Sequence, residues 1–116
     1  MQITERRIGE SVILDLMGEL TYANRTIFKA AVEQCKRGGC RHLILNMRGV
    51  RFLDSSALGT LALLTQSLSA TQGKVSLLNP QSYVKEIVTL ANLHTLLPVY
   101  TSEQDALAGS RLPAVG

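Results

Sequence analysis

RHLILNMRGVRFLDSSALGTL, residues 41–61, joins an apolar strand to the start of a helix. The run HLILNM is apolar apart from His42 and Asn46, which is typical of a strand covered on both faces. A loop is predicted around RGVRF. From Asp54 the apolar residues recur at helical spacing as far as Gly73, and the predicted stripe is Leu58, Leu61, Ala62, Thr65 and Leu68. A buried strand followed directly by a helix favours an α/β fold.

The residues before this stretch extend the same pattern. SVILDLMGEL, residues 11–20, alternates as a strand, and the weaker alternation of residues 2–8 predicts a hairpin through Gly9 and Glu10. From Thr21 to Gly38-Gly39 the period becomes helical. This helix is predicted to bury one face, formed by Ile27, Phe28, Ala31, Val32 and Cys35.

The residues after Gly73 repeat the alternation of strand and helix. KVSLLN predicts a strand, and Asn79-Pro80 predicts a helix start with the helix reaching Asn92. LLPVY predicts an edge strand because of its proline, and Thr101 with Gln104 predicts a capping box for a last short helix. The order ββαβαβαβα predicts one small mixed sheet of about five strands, flanked by about four helices with right-handed crossovers.

Length and composition favour one domain, predicted over residues 1–110, with a loose tail at 111–116. The chain has 116 residues, 46% of them hydrophobic, and a net charge of +3. Its positive residues form no continuous basic face, so direct nucleic-acid binding is not expected. We also expect no signal peptide, no membrane span and reduced thiols at Cys35 and Cys40, which together predict a cytoplasmic protein.

No motif for catalysis or for a cofactor is evident. Phosphate-binding glycine loops and the GxSxG nucleophile pattern are absent, and Cys35 and Cys40 do not fit a zinc ligand set. His42 and His94 are expected to be exposed polar residues rather than general bases. The sequence therefore predicts no catalytic residue, no metal and no cofactor.

The run LDSSALG, residues 53–59, has two interpretations. Asp54, Ser55 and Ser56 suit a helix N-terminus, because their side chains can accept hydrogen bonds from free backbone N–H groups. A serine at the same place could also carry a phosphate, since the positive end of a helix accommodates negative charge. The local residues do not choose between a structural cap and a switch.

Gly-Glu-Leu at 18–20, the Asp-Ser-Ser-x-Leu-Gly run and NPQSYVKEIVTLANLHTLLPVY at 79–100, with the order of the elements, resemble the STAS domain. The chain is particularly similar to bacterial anti-sigma factor antagonists. This resemblance implies that Ser55, directly after Asp54, is the phosphoacceptor of a serine kinase that is also the anti-sigma factor. It also implies a phosphoserine phosphatase that resets the switch.

The resemblance also implies a partner-binding surface built from the starts of two helices, which we expect side by side on a monomer. Two positions depart from the family pattern: Ala57 replaces a usual glycine, and Thr21 replaces a frequent aspartate, although threonine can still cap a helix. Leu58 would contribute only if it is partly exposed. The predicted contact residues are Thr21, Tyr22, Ala23, Asp54, Ser56, Ala57, Leu58 and Gly59.

Two other classes of function remain open at this point. One is a STAS scaffold without a phosphate switch, such as a soluble subunit of a lipid-transport complex. The other is a sensor that binds a small ligand or nucleotide. A hydroxyl at position 55 favours the phosphorylated switch, whereas Thr21 and the basic charge keep the scaffold open.

Overall fold

The computed structural model describes residues 1–109, so the predicted tail at 111–116 lies outside the described residues. It has nine regular elements in the predicted order, with short 3₁₀ turns at Tyr22–Asn24 and Leu93–Thr95. The elements are β1 Gln2–Ile8, β2 Ser11–Leu20, α1 Arg25–Arg37, β3 His42–Leu53, α2 Ser55–Ser69, β4 Lys74–Leu78, α3 Ser82–Leu90, β5 Val99–Tyr100 and α4 Glu103–Gly109. The predicted α/β class, with five strands and four helices, is confirmed.

The strands form one sheet in the order β1-β2-β3-β4-β5. β1 and β2 pair as the predicted antiparallel hairpin, whose turn has Gly9 at φ +63°. The strands β2, β3, β4 and β5 are parallel to one another. Their carboxyl ends therefore meet at one edge, here called the carboxyl edge. β5 is an edge strand, as Pro98 predicts.

Both faces of the central strands are buried, which explains their continuous apolar sequence. On one face Val12, Leu43 and Val75 join a core with apolar residues of α1, α2 and α3. On the other face Ile13, Ile44 and Leu78 pack with Ala106 of α4. The alternation of side chains along each strand separates these two cores.

The predicted loop at RGVRF is wrong, because β3 continues through it to Leu53. The ten-residue β2 pairs with β3 along this segment, with register shifts between Asp15 and Met17 and between Gly18 and Glu19. Gly49 allows this pairing, since a Cβ there would lie 2.8 Å from the Leu16 carbonyl oxygen. The glycine serves a close approach of two strands and not a turn.

Four predicted details of the helices are also wrong. α1 begins at Arg25 and not at Thr21, because residues 22–24 form a 3₁₀ turn. α3 begins at Ser82, because Asn79 has a left-handed backbone, φ 51°, and its N–H donates to the Tyr100 carbonyl oxygen at 2.9 Å. The helix ends at Leu90, before Asn92, whose backbone is also left-handed, with φ 62°. α4 has no Thr101–Gln104 capping box. The Asp105 N–H donates instead to Ser102 Oγ, at 3.1 Å. α2 ends at Ser69, before Gly73.

Candidate functional site

Asp54 joins the two helix starts at the carboxyl edge. Leu20 and Leu53, the last residues of β2 and β3, are partners in the sheet. Beyond them, Asp54 Oδ2 accepts a hydrogen bond from the Tyr22 N–H at 3.0 Å, and Oδ1 accepts one from the Ala57 N–H at 2.9 Å. One carboxylate thus holds the 3₁₀ turn and α2 together, and the prediction that the two starts lie side by side is confirmed.

The same two hydrogen bonds set the charge of Asp54. The Tyr22 N–H and then the Ala57 N–H hold the pKa of the Asp54 carboxyl below its ordinary value, because both donors stabilise the ionised form. Asp54 is therefore an anion at neutral pH, placed at the positive end of α2. It is the N-cap of this helix, with extended backbone at φ −105° and ψ −178°.

Ser55 is the first residue of α2 and is exposed. Its hydroxyl makes no hydrogen bond within residues 1–109, because Asp54 already caps the first turn. Ser56 is half-buried, and its carbonyl oxygen accepts the Thr60 hydroxyl at 3.0 Å. Of the two serines, Ser55 is the more exposed to solvent.

Ala57 does not belong to the predicted surface. Its side chain is only 2% exposed and lies in the core, so the prediction of a surface contact through Ala57 is wrong. Leu58 is half-buried and packs against the same core, while Gly59 is exposed. At the start of α2, Ser55 and Gly59 are thus exposed to solvent, and Leu58 is partly exposed.

Thr21 does not cap the neighbouring turn. Its side chain accepts no backbone N–H, and the nearest side-chain contact is from Asn24 Nδ2, at 3.4 Å from Thr21 Oγ1. Asn24 Nδ2 also donates to the Glu19 backbone carbonyl oxygen at 2.7 Å. The expectation of a threonine side-chain cap is wrong. The Asn24 N–H donates to the Thr21 backbone carbonyl oxygen, at 3.0 Å, and the Tyr22 N–H donates to Asp54 from another part of the chain.

Sequence reasoning missed several exposed side chains at the carboxyl edge. The Arg25 guanidinium lies 3.6 Å from the centre of the Tyr22 ring and donates to the Tyr22 backbone carbonyl oxygen at 2.8 Å. Phe52 and Tyr83 stack with ring centroids 6.5 Å apart and an interplanar angle of 17°. No local signal in the sequence could have found the stack, because it joins β3 to α3 and depends on the tertiary structure.

Of the other candidates for chemistry, His94 is exposed, as expected, whereas His42 and the two cysteines are buried. His42 is 1% exposed, which corrects the expectation of an exposed histidine, and its Nε2 lies 2.6 Å from Ser76 Oγ. Burial, with a smaller effect of Lys74, lowers the pKa of His42 to about 4. Burial also raises the pKa of the Cys35 thiol to about 12. Both cysteines are free and buried, which disfavours the reactive thiolate form.

The described part of the chain also has no group of three or more His, Cys, Asp or Glu arranged to hold a metal ion. None of its helices is both long enough and apolar enough to cross a membrane.

The sequence profile of the STAS domain matches residues 2–106. An anti-sigma F factor antagonist from Lysinibacillus sphaericus is 30% identical over 99 residues, which are 82% of this chain and 82% of that protein. The structure of an anti-sigma factor antagonist from Mycobacterium paratuberculosis has a TM-score of 0.85 at 19% identity, covering 96% of this chain and 94% of that one.

The anti-sigma factor antagonist SpoIIAA in its unphosphorylated form matches with a TM-score of 0.81 at 23% identity, over 95% of this chain and 96% of that one. The Bacillus SpoIIAA in its phosphorylated form matches with a TM-score of 0.73 at 23% identity, over 93% and 98% of the two chains. The profile match covers most of the chain and agrees with the fold. The chain therefore belongs to the STAS domain family and is a relative of bacterial anti-sigma factor antagonists.

Proposed function

We propose that this protein is an anti-sigma factor antagonist that is switched by phosphorylation of Ser55. In its unphosphorylated form it binds a serine-kinase anti-sigma factor in the cytoplasm, as a monomer, and this binding releases the sigma factor. Phosphorylation ends the binding, and a phosphoserine phosphatase restores it. The protein itself binds and does not catalyse. The observation that carries the proposal is that Ser55, the first residue of α2, is exposed and that its hydroxyl makes no hydrogen bond within residues 1–109.

The chemistry of the switch is a phosphoryl transfer. Ser55 Oγ attacks the γ-phosphorus of ATP, the bond to the bridging oxygen of ADP breaks, and the hydroxyl proton passes to a base of the kinase. The phosphatase reverses the state with water, which releases inorganic phosphate. Neither step requires a catalytic group from this chain, so the exposed hydroxyl is sufficient.

The phosphate is expected to change the surface without unfolding the domain. It adds roughly −1.5 to −2 charges at neutral pH. The positive end of α2 stabilises this charge, while the ionised Asp54 next to it makes the local surface strongly negative. The other proposed contacts, Thr21, Tyr22, Ala23, Ser56, Leu58 and Gly59, would then face a partner across a new charge, which weakens docking.

The test uses the purified serine-kinase anti-sigma factors encoded in the same genome. Wild type, Ser55→Ala and Ser56→Ala are incubated with each kinase and ATP, and phosphate is located by mass spectrometry. We expect phosphate on Ser55 in the wild type and in Ser56→Ala, and none in Ser55→Ala, which should still bind the kinase. Phosphate on Ser56 alone would reject Ser55. A wild type that no kinase binds or phosphorylates would reject the switch and favour the scaffold.

A further inference from the structure

Three of the five aromatic residues lie exposed around the carboxyl edge. Tyr22, Phe52 and Tyr83 are 59%, 40% and 49% exposed, whereas Phe28 is buried and Tyr100 is half-buried. Tyr22 follows β2, Phe52 lies at the end of β3, and Tyr83 lies in the first turn of α3, which follows β4. Exposed aromatic rings gathered at one edge are typical of protein-binding hot spots.

The order of the strands places Ser55 between these rings. β3 lies between β2 and β4, so the residue that follows β3 is flanked by the continuations of both neighbours. On one side of Ser55, the Tyr22 N–H donates a hydrogen bond to Asp54 Oδ2, at 3.0 Å. On the other side Phe52, three positions before Ser55 in the sequence, stacks on Tyr83.

Local contacts hold the rings in place before any partner binds. The Arg25 guanidinium covers the Tyr22 ring at 3.6 Å. Gln81 Nε2 donates to the Arg48 oxygen at 2.9 Å, which fixes the start of α3 beside β3 and so supports the stack of Phe52 on Tyr83. Rings that are already ordered lose little conformational entropy on binding, which favours affinity.

The charge around the rings is positive. Arg25, Arg48 and Arg51 are exposed and form no salt bridge to any residue between 1 and 109. The nearby acids are Glu19, paired with Phe52 in the sheet, and Asp54, whose carboxylate already accepts two backbone N–H groups. The first turns of α3 add one charge of each sign, Lys85 and Glu86.

We propose that the three rings and these arginines form one docking surface, which extends past the two helix starts to α3 and takes an acidic, partly apolar face of the partner protein. This inference rests on the proposed function, because the partner is the same serine kinase. It also explains how the switch acts. A phosphate on Ser55 would offset the positive charge of the surrounding arginines and weaken the attraction of the surface for an acidic partner.

The test measures binding of the same purified kinases, with ADP, by isothermal titration calorimetry. Phe52→Ala/Tyr83→Ala is compared with Leu63→Ala/Leu90→Ala, a matched pair of apolar changes at residues that are 67% and 79% exposed on the middle of α2 and the end of α3. We expect the aromatic pair to weaken the Kd about tenfold or more, as for hot-spot residues. The leucine pair should leave the Kd unchanged.

A charge reversal tests the acidic nature of the partner face. Surface plasmon resonance at several salt concentrations measures kon. Arg51→Glu should slow association and reduce the dependence of kon on salt, because long-range attraction sets kon more than koff. Circular dichroism and thermal melting establish that each variant is folded.

The outcomes separate this inference from the proposed function. If wild type binds and Phe52→Ala/Tyr83→Ala binds equally well, the extended surface is rejected and the proposed function stands. Unchanged kinetics in Arg51→Glu would reject the acidic partner face. If wild type sediments as a dimer and the aromatic variant as a monomer, the surface joins two copies and the inference is rejected. If no kinase binds or phosphorylates wild type, the proposed function is rejected together with the inference.

Discussion

At the scale of the residue, a single carboxylate holds the two helix starts of the candidate site together. Asp54 accepts hydrogen bonds from the Tyr22 and Ala57 N–H groups, which are far apart in the sequence. The motif predicts the second bond, because an aspartate before a helix is a common N-cap. It does not predict the first, because Tyr22 reaches Asp54 only through the pairing of β2 with β3. The residue that looks like a local cap is also a tertiary contact.

Substitution of Asp54 should separate these two roles. Asp54→Ala removes both acceptors, so we expect its Tm to be lower than that of wild type. The amide hydrogens of Tyr22 and Ala57 should also exchange with solvent faster than in wild type. Asp54→Asn retains one acceptor oxygen and should protect one of the two amides. Ser55→Ala is the matched control, because it changes the next residue without touching either bond. An Asp54→Ala protein with wild-type Tm and exchange would contradict this role.

At the scale of the element, the first turn of α2 shows why a helical pattern alone does not give the buried face. The buried residues are Ala57, Leu61, Leu64 and Leu68, whereas the predicted stripe was Leu58, Leu61, Ala62, Thr65 and Leu68. Leucines and alanines lie on several sides of this helix, so more than one face satisfies the helical period. Contacts with the sheet select the face that includes Ala57.

This burial changes which variants can probe the surface. Ala57→Arg should destabilise the domain by about 3 kcal/mol or more, because it places an unpaired charge in the core. Leu63→Arg, at a residue 67% exposed on the same helix, should change the free energy of unfolding by less than about 0.5 kcal/mol. Urea denaturation measures both. Equal stability of the two variants would show that Ala57 is not buried in solution.

Tyr22→Ala is the better probe of the proposed surface, since Tyr22 is 59% exposed and the change leaves the backbone contact to Asp54 in place. Loss of partner binding in this variant would therefore report on the surface and not on folding.

At the scale of the whole molecule, ionisable groups reduce the stability of the fold in two separate ranges of acidic pH. His42 is buried with a pKa of about 4, compared with an ordinary value of 6.5. Between these values the unfolded chain binds a proton that the folded chain does not, so stability falls as the pH decreases. The pKa of Asp15 is lowered chiefly by its hydrogen bond with Arg6, and the pKa of Asp54 is lowered by backbone N–H donors. Their contributions are lost at lower pH, as each carboxylate protonates.

We therefore expect the free energy of unfolding to be constant between about pH 7 and pH 8 and to fall by about 3 kcal/mol between about pH 6.5 and pH 4, owing to His42. A further loss below about pH 4 comes from the carboxylates. Urea denaturation over this range measures the curve, and an NMR titration of the His42 ring gives its pKa directly. His42→Gln is the control, which should flatten the first range only. A wild-type protein with constant stability between about pH 7 and pH 5 would contradict the buried neutral histidine.

The sequence by itself determined the class of fold, the order of the nine elements and the position of Ser55 at the start of α2. These follow from local information: the switch between periods of two and of 3.6 residues, and the Asp-Ser-Ser run before an apolar helix. The same local signals failed at Gly49 and Asn79, where a glycine fits a close approach of strands and an asparagine adopts a left-handed turn.

Tertiary structure decided which residues meet at the carboxyl edge. The parallel pairing of β2, β3 and β4 brings Tyr22, Ser55 and Tyr83 to one end of the sheet, although they are widely separated in the sequence. It also buries Ala57 and His42, exposes Phe52, and gives Asp54 its second partner. These outcomes depend on the packing of elements against each other, because burial and contact between distant residues are set by the register of the sheet and by the helix faces that cover it.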